Sequence, residues 1–114
     1  MTRIYHNPRC SKSRQTLELL RAEGVEPEIE LYLETPLDAE TIANLLGKLG
    51  ISAAQLVRRS EKDFKDNNLG RADITEDELI AAMVKYPKLI ERPIVVSGNR
   101  AVLGRPPENV LELL

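Results

Sequence analysis

A chain of 114 residues with a net charge of -2 is long enough for one domain with an ordinary hydrophobic core. Its single cysteine cannot form an intramolecular disulfide, which excludes a secreted disulfide scaffold. The weak negative charge does not favour nucleic-acid binding, and no apolar run approaches the length of a membrane span. We therefore expect a cytoplasmic protein with no nucleic-acid or membrane partner.

The first third of the chain predicts a strand, a helix and a second strand. Arg3–His6 form a short predicted strand, which Asn7-Pro8 end because proline lacks a backbone donor. Apolar residues at helical spacing over Ser11–Gly24 predict a helix, and alternation over Glu28–Leu33 predicts the second strand. Such a βαβ unit implies parallel strand pairing with a right-handed crossover.

The middle of the chain predicts only helices. Apolar residues on one face predict a helix over Leu37–Leu49, and Glu61–Asn68 suit one further helical turn. Ser52–Gln55 and Thr75–Glu78 have the residue pattern of capping boxes, so a helix is predicted to begin at each. Pro87 is expected to end the last of these helices.

The end of the chain predicts a hairpin and a final helix. Arg92–Ser97 and Ala101–Leu103 are the predicted strands, joined by a turn at Gly98-Asn99. Prolines before Glu108–Leu114 suit the start of a helix there. The predicted fold class is α/β, with a mixed four-stranded sheet flanked by helices in the order βαβ, helical insertion, ββα. We expect a single domain over residues 1–114, with the insertion at about 37–88.

Cys10, the only cysteine, lies at the start of the first predicted helix. The unpaired N–H groups and the dipole of a helix N-terminus favour a thiolate, and they also attract oxyanions. Arg9, Lys12 and Arg14 add positive charge in the same turn, which lowers the pKa of a thiol. We therefore predict a reactive cysteine beside an anion site, because these polar flanks disfavour a cysteine that only packs in the core.

Several other residues are candidates whose roles the residue pattern leaves open. His6 either lies near the thiol and tunes it or only caps its strand. Arg92 and Arg105 each adjoin a proline at a strand boundary, and each is either an oxyanion ligand or a solvated surface charge. Arg58 competes with Arg59 for an inward position at the end of a short helix, and a surface role is favoured for it.

Other cysteine chemistries lack their required residues. A phosphatase loop needs arginine six positions after the cysteine, where Thr16 stands, and a dithiol motif needs cysteine where Ser13 stands. No cluster of cysteine and histidine suits zinc. Because no second cysteine can resolve an oxidised Cys10, the reductant must be an external thiol.

Stretches across nearly the whole chain resemble the arsenate reductase family of the glutathione- and glutaredoxin-coupled type. The matching stretches are Ile4–Cys10 with Ser13–Arg14, Leu31–Pro36, Gly50–Ser52 with Leu56–Arg58, and Glu91–Val96 with Gly104–Pro106. The resemblance implies a thioredoxin-like fold with an inserted helical region, a cis peptide bond at Pro93 and a role in arsenical resistance.

The resemblance also implies the chemistry. The Cys10 thiolate attacks arsenate, His6 helps to activate it, and an oxyanion site is formed by Arg58, Arg92 and Arg105. Glutathione, an external reductant, then reduces the adduct, glutaredoxin clears the mixed disulfide and arsenite leaves, with no bound cofactor or metal. Within the loop, the residues expected to support the thiolate are Asn7, Ser13 and Arg14.

The loop departs from the family pattern in being more basic. Arg9 stands where a small residue such as alanine is usual, and Ser11-Lys12 replace Gly-Thr. This leaves two alternatives to arsenate reduction. One is a thiol oxidoreductase that acts on another oxyanion or on glutathione mixed disulfides. The other is a polymerase-binding redox regulator, which Ser13 disfavours because such regulators carry a second cysteine there.

Overall fold

The computed structural model describes all 114 residues, which divide into two compact units. One unit consists of residues 1–35 and 92–114, and the other of residues 36–91. The second unit is the region predicted as a helical insertion. That residues 1–114 act as a single domain stays a prediction.

The first unit contains a four-stranded sheet in the order β2-β1-β3-β4. Its strands are β1 (Thr2–Tyr5), β2 (Glu28–Glu30), β3 (Ile94–Ser97) and β4 (Arg100–Leu103). The pairing of β1 with β2 is parallel, whereas β3 is antiparallel to both β1 and β4. The predicted mixed sheet, its parallel βαβ unit and its C-terminal hairpin are therefore confirmed.

One hydrophobic core joins this sheet to the helix α1 (Ser11–Ala22) and to the C-terminal segment. Its buried members are Ile4, Leu17, Leu20, Val95 and Val110. The prediction of a final α-helix over Glu108–Leu114 is wrong in type, because Pro107–Leu113 form a 3₁₀ helix that packs against α1 and β4. The packing on α1 fixes the helix that carries the candidate nucleophile.

The second unit is entirely helical. It contains α2 (Ala39–Leu49), α3 (Ala53–Leu56), α4 (Lys62–Asp66), α5 (Glu76–Lys85) and a 3₁₀ turn (Pro87–Leu89). Both predicted capping boxes are present, at Ser52 and at Thr75. The α5 helix packs against α2 and α3, and its Glu76 carboxylate accepts the N–H of Ala53 at 2.9 Å. No helix of the chain combines the length and apolar character needed to cross a membrane.

Several predicted boundaries are wrong; β3, for example, begins at Ile94 rather than Arg92. Two of them have a clear local cause. The second strand ends at Glu30 rather than Leu33, because the Leu31 carbonyl accepts the N–H groups of Glu34 and Thr35 and closes a turn. The α2 helix begins at Ala39 rather than Leu37, because the Asp38 side chain accepts the Thr41 N–H at 2.8 Å and caps the helix.

Candidate active site

Cys10 is the N-cap residue of α1, immediately after the loop that leaves β1. Its own N–H donates to the Asn7 carbonyl at 3.0 Å, and its carbonyl accepts the Arg14 N–H at 3.0 Å. With φ -95° and ψ 122° the residue has an extended backbone conformation, and its side chain is partly buried. The sequence places the nucleophile here because Pro8 cannot continue the strand and Ser11 begins the helix.

The pKa of the Cys10 thiol is lowered from its ordinary value. Burial acts against this by raising the pKa, but it is outweighed by hydrogen bonds from the Ser13 N–H, the Arg92 side chain and the Lys12 N–H, together with the charge of Arg92. The predicted lowering is confirmed, although its charged source is Arg92 rather than the basic side chains of the loop. The Arg14 guanidinium instead donates to the Pro8 carbonyl at 2.8 Å and so supports the loop.

Two of the predicted arginines lie close to the thiol. Arg105 Nη2 is 3.7 Å from Cys10 Sγ, and Arg105 Nε donates to the Arg92 carbonyl at 2.8 Å. The Arg92–Pro93 peptide bond is cis, as the resemblance implies. Arg92 and Arg105 are both only partly exposed, so an oxyanion beside the sulfur would meet positive charge with reduced solvent screening.

The buried side chains of His6 and Ser13 form a hydrogen-bond network with the backbone of Asn7. His6 Nδ1 lies 2.6 Å from Ser13 Oγ, and the same hydroxyl accepts the Asn7 N–H at 3.0 Å. Burial, followed by the charges of Arg21 and Arg14, lowers the pKa of His6 and favours the neutral ring. A neutral ring with Nδ1 unprotonated accepts the Ser13 hydroxyl proton, so the network ties the strand end to the first turn of α1.

His6 also takes part in the sheet. Its backbone N–H donates to the Glu30 carbonyl at 2.9 Å, which adds one hydrogen bond beyond the end of β1. Its ring is hydrogen-bonded through Nδ1 to the Ser13 hydroxyl. A direct role for His6 in activating the thiol stays a prediction.

Arg58 belongs to the helical unit. Its N–H donates to the Leu89 carbonyl at 2.7 Å, and its guanidinium lies 3.7 Å from Glu61 and 3.6 Å from Glu91. The competing Arg59 instead places its guanidinium 5.5 Å above the centre of the Phe64 ring. A role for Arg58 in the oxyanion site stays a prediction.

One residue that supports the site was missed in the sequence. The Asn109 side chain donates to the carbonyls of Arg105 at 3.1 Å and Leu103 at 3.2 Å. These bonds fix the backbone of the segment that contains Arg105. The residues beside Asn109 in the sequence give no signal of this contact. No group of three or more His, Cys, Asp and Glu side chains is placed to hold a metal ion.

The ArsC family model matches residues 5–113 of this chain. The chain belongs to the ArsC family. It is 46% identical to an arsenate reductase of Haemophilus influenzae, over 97% of each chain. It is 58% identical to the uncharacterized protein YfgD of Escherichia coli K12, over 98% of this chain and 95% of the relative. Among ArsC-fold structures, an arsenate reductase from Vibrio cholerae superimposes with a TM-score of 0.97 and 48% identity, over 99% of this chain and 97% of that one.

Proposed function

We propose that this protein is an arsenate reductase whose nucleophile is Cys10. The observation that carries the proposal is a thiol of lowered pKa, in contact with the Arg92 and Arg105 side chains. The names of the Haemophilus and Vibrio relatives support arsenate as the substrate. Arg58 is included as a third oxyanion ligand on the strength of the family resemblance.

The first step is attack of the thiolate on arsenic. A sulfur–arsenic bond forms and one arsenate oxygen leaves as water, while arsenic remains in its +5 state. The Arg92 and Arg105 guanidinium groups would offset the negative charge of the arsenate oxygens, because arginine presents paired donors to such oxyanions. The same cations would favour the thiolate before arsenate arrives.

The second step needs a thiol from outside the chain, because the two electrons that reduce arsenic are released when Cys10 and that thiol form a disulfide. A glutathione thiolate attacks the Cys10 sulfur, and the electron pair of the sulfur–arsenic bond leaves with arsenic, which becomes arsenite in the +3 state. Cys10 is then a mixed disulfide with glutathione. Glutaredoxin attacks the glutathione sulfur and returns Cys10 to its thiolate, because this chain has no second cysteine to do so.

An NADPH-coupled assay tests the proposal. Protein, arsenate, glutathione, glutaredoxin and glutathione reductase are mixed, and the loss of NADPH absorbance is followed. We expect arsenate-dependent turnover for the natural chain and none for Cys10→Ser, since serine at this site cannot supply a soft, ionised nucleophile. The matched control is Ser11→Ala at the neighbouring exposed position, which should retain turnover.

Two results would contradict the proposal. Turnover that persists in a folded Cys10→Ser variant would show that Cys10 is not the nucleophile. Absence of turnover in the natural chain, with Cys10 still alkylated at low pH, would reject arsenate as the substrate. The same assay with a glutathione mixed disulfide in place of arsenate would then test the alternative oxidoreductase activity.

A further inference from the structure

At Gly104, the residue before Arg105, the structure leaves no room for a side chain. Its φ lies outside the left-handed region, so its backbone conformation is open to any residue. A Cβ at this position, however, would lie 2.5 Å from Thr16 Oγ1 and 2.8 Å from Pro93 Cγ. Contacts this short require Thr16, Pro93 or the Gly104 backbone itself to shift.

On one side, Gly104 is hydrogen-bonded to the segment that contains Arg92. The Gly104 N–H donates to the Pro93 carbonyl at 2.9 Å, one step beyond the pairing of β3 with β4. The Arg105 Nε donates to the Arg92 carbonyl at 2.8 Å. These two hydrogen bonds fix the positions of Arg92 and Arg105 relative to each other. A shift of the Gly104 backbone would therefore move both arginines.

On the other side, Gly104 meets the helix that carries the thiol. Thr16 stands on α1, is fully buried, and donates its hydroxyl to the Lys12 carbonyl at 2.8 Å. The same oxygen lies 3.4 Å from the Gly104 carbonyl. Since α1 begins directly after Cys10, Thr16 and Gly104 meet where the helix that follows the thiol packs against the end of β4.

We propose that Gly104 is a positioning residue, whose missing side chain sets the distance from Cys10 Sγ to the guanidinium groups of Arg92 and Arg105. This deepens the proposed function and rests on it, because the same two groups would bind arsenate. Any larger residue would separate the nucleophile from its cations without touching either. The effect therefore differs from a general loss of stability.

The test is the Gly104→Ala variant, studied by the pH dependence of Cys10 alkylation with iodoacetamide. We expect the thiol pKa to rise and alkylation at about pH 6.5 to slow by about threefold to tenfold, since one pKa unit changes the thiolate fraction about tenfold. The matched control is Gly47→Ala in α2, where a Cβ meets nothing within 4 Å. The control should alkylate like the natural chain.

A thermal unfolding curve accompanies each titration. A folded Gly104→Ala variant with the natural alkylation profile would overturn the proposal, even if its melting temperature were lower. If this variant does not fold, the Gly104→Ala/Thr16→Ala double variant is used instead. It removes the close contacts of the new Cβ with the Thr16 side chain and keeps the one with Pro93.

The double variant is compared with Thr16→Ala alone. A raised thiol pKa in the double variant supports the proposal, and equal pKa values contradict it. The titration uses no arsenate, so its outcome is distinct from the outcome of the turnover assay. An inactive natural chain would reject the proposed substrate and leave the positioning test valid.

Discussion

The Cys10 sulfur is stabilised by neutral backbone donors as well as by a charged side chain. The N–H groups of Ser13 and Lys12 are fixed by the helix itself, whereas Arg92 reaches the sulfur from the segment just before β3, the strand that pairs with β1. Backbone donors cost no side-chain entropy to hold in place. Since Arg9 and Lys12 have exposed side chains, the lowered thiol pKa depends mainly on the helix start and on Arg92.

His6 gives the protein a predicted sensitivity to acid. Its pKa is lowered in the folded state, so the unfolded chain binds a proton first as the pH falls below the ordinary histidine value of about 6.5. The stability that neutral His6 contributes is complete above that pH and is lost as the pH falls through the folded-state pKa. We therefore expect the free energy of unfolding to decrease between about pH 7.5 and about pH 5.

The comparison variant is His6→Asn, whose amide can still reach Ser13 and does not titrate. Urea unfolding at the two pH values should show a smaller pH-dependent loss for the variant than for the natural chain. Equal losses would mean that other groups cause the acid sensitivity. The Ser13 hydroxyl is kept in both proteins, so the difference between them reports the effect of protonating His6.

At the scale of elements, the capping box of α5 is expected to stabilise the helical unit. The Thr75 hydroxyl accepts the Glu78 N–H at 3.1 Å, and the Glu78 carboxylate accepts the Thr75 N–H at 3.1 Å. Thr75→Ala should lower the free energy of unfolding by about 1 kcal/mol, because it leaves one helix donor unpaired. Urea unfolding followed by circular dichroism measures the change.

Thr75→Ser is the control for this prediction, since it keeps the hydroxyl and removes only a methyl group. It should lie close to the natural chain in the same experiment. An alanine variant as stable as the serine variant would show that water satisfies the Glu78 N–H equally well. Because α5 packs against α2 and α3, the loss should appear in the unfolding of the whole helical unit.

The same elements show which features a sequence can predict. The capping boxes at Ser52 and Thr75 were predictable because a cap depends on residues three positions apart. The end of β2 was not predictable. The alternation of polar and apolar residues continues to Leu33, whereas the strand stops where its partner β1 ends. Tyr5 pairs with Glu30, and β1 then turns away. Strand length is thus set by a neighbour that local alternation does not reveal.

The candidate site divides in the same way. Cys10 was predictable because a turn, a helix start and basic residues adjoin it in sequence. The approach of Arg105 to the sulfur was not predictable, because the two residues are 95 positions apart and are brought together by the pairing of β1, β3 and β4. The spatial role of Gly104 is hidden for the same reason: glycine usually indicates a special φ, and here it indicates a contact with α1.

At the scale of the whole molecule, the single cysteine makes the proposed cycle depend on a second protein. With arsenate and glutathione but no glutaredoxin, we expect about one arsenite per protein, because Cys10 stops as a glutathione mixed disulfide. Intact-mass measurement should show the addition of one glutathionyl group. Adding glutaredoxin should remove that mass and restore continuous arsenite release.

The single-turnover limit follows from the electron count rather than from the arrangement of the site. Each arsenate needs two electrons, and one thiol together with one glutathione supplies both while forming one disulfide. Continuous arsenite release with glutathione alone would show that a second glutathione regenerates Cys10 directly, and would remove glutaredoxin from the cycle. A burst of one arsenite, followed by recovery only with glutaredoxin, would instead require a surface beside the partly buried Cys10 at which another protein's thiol can reach the glutathione sulfur bonded to it.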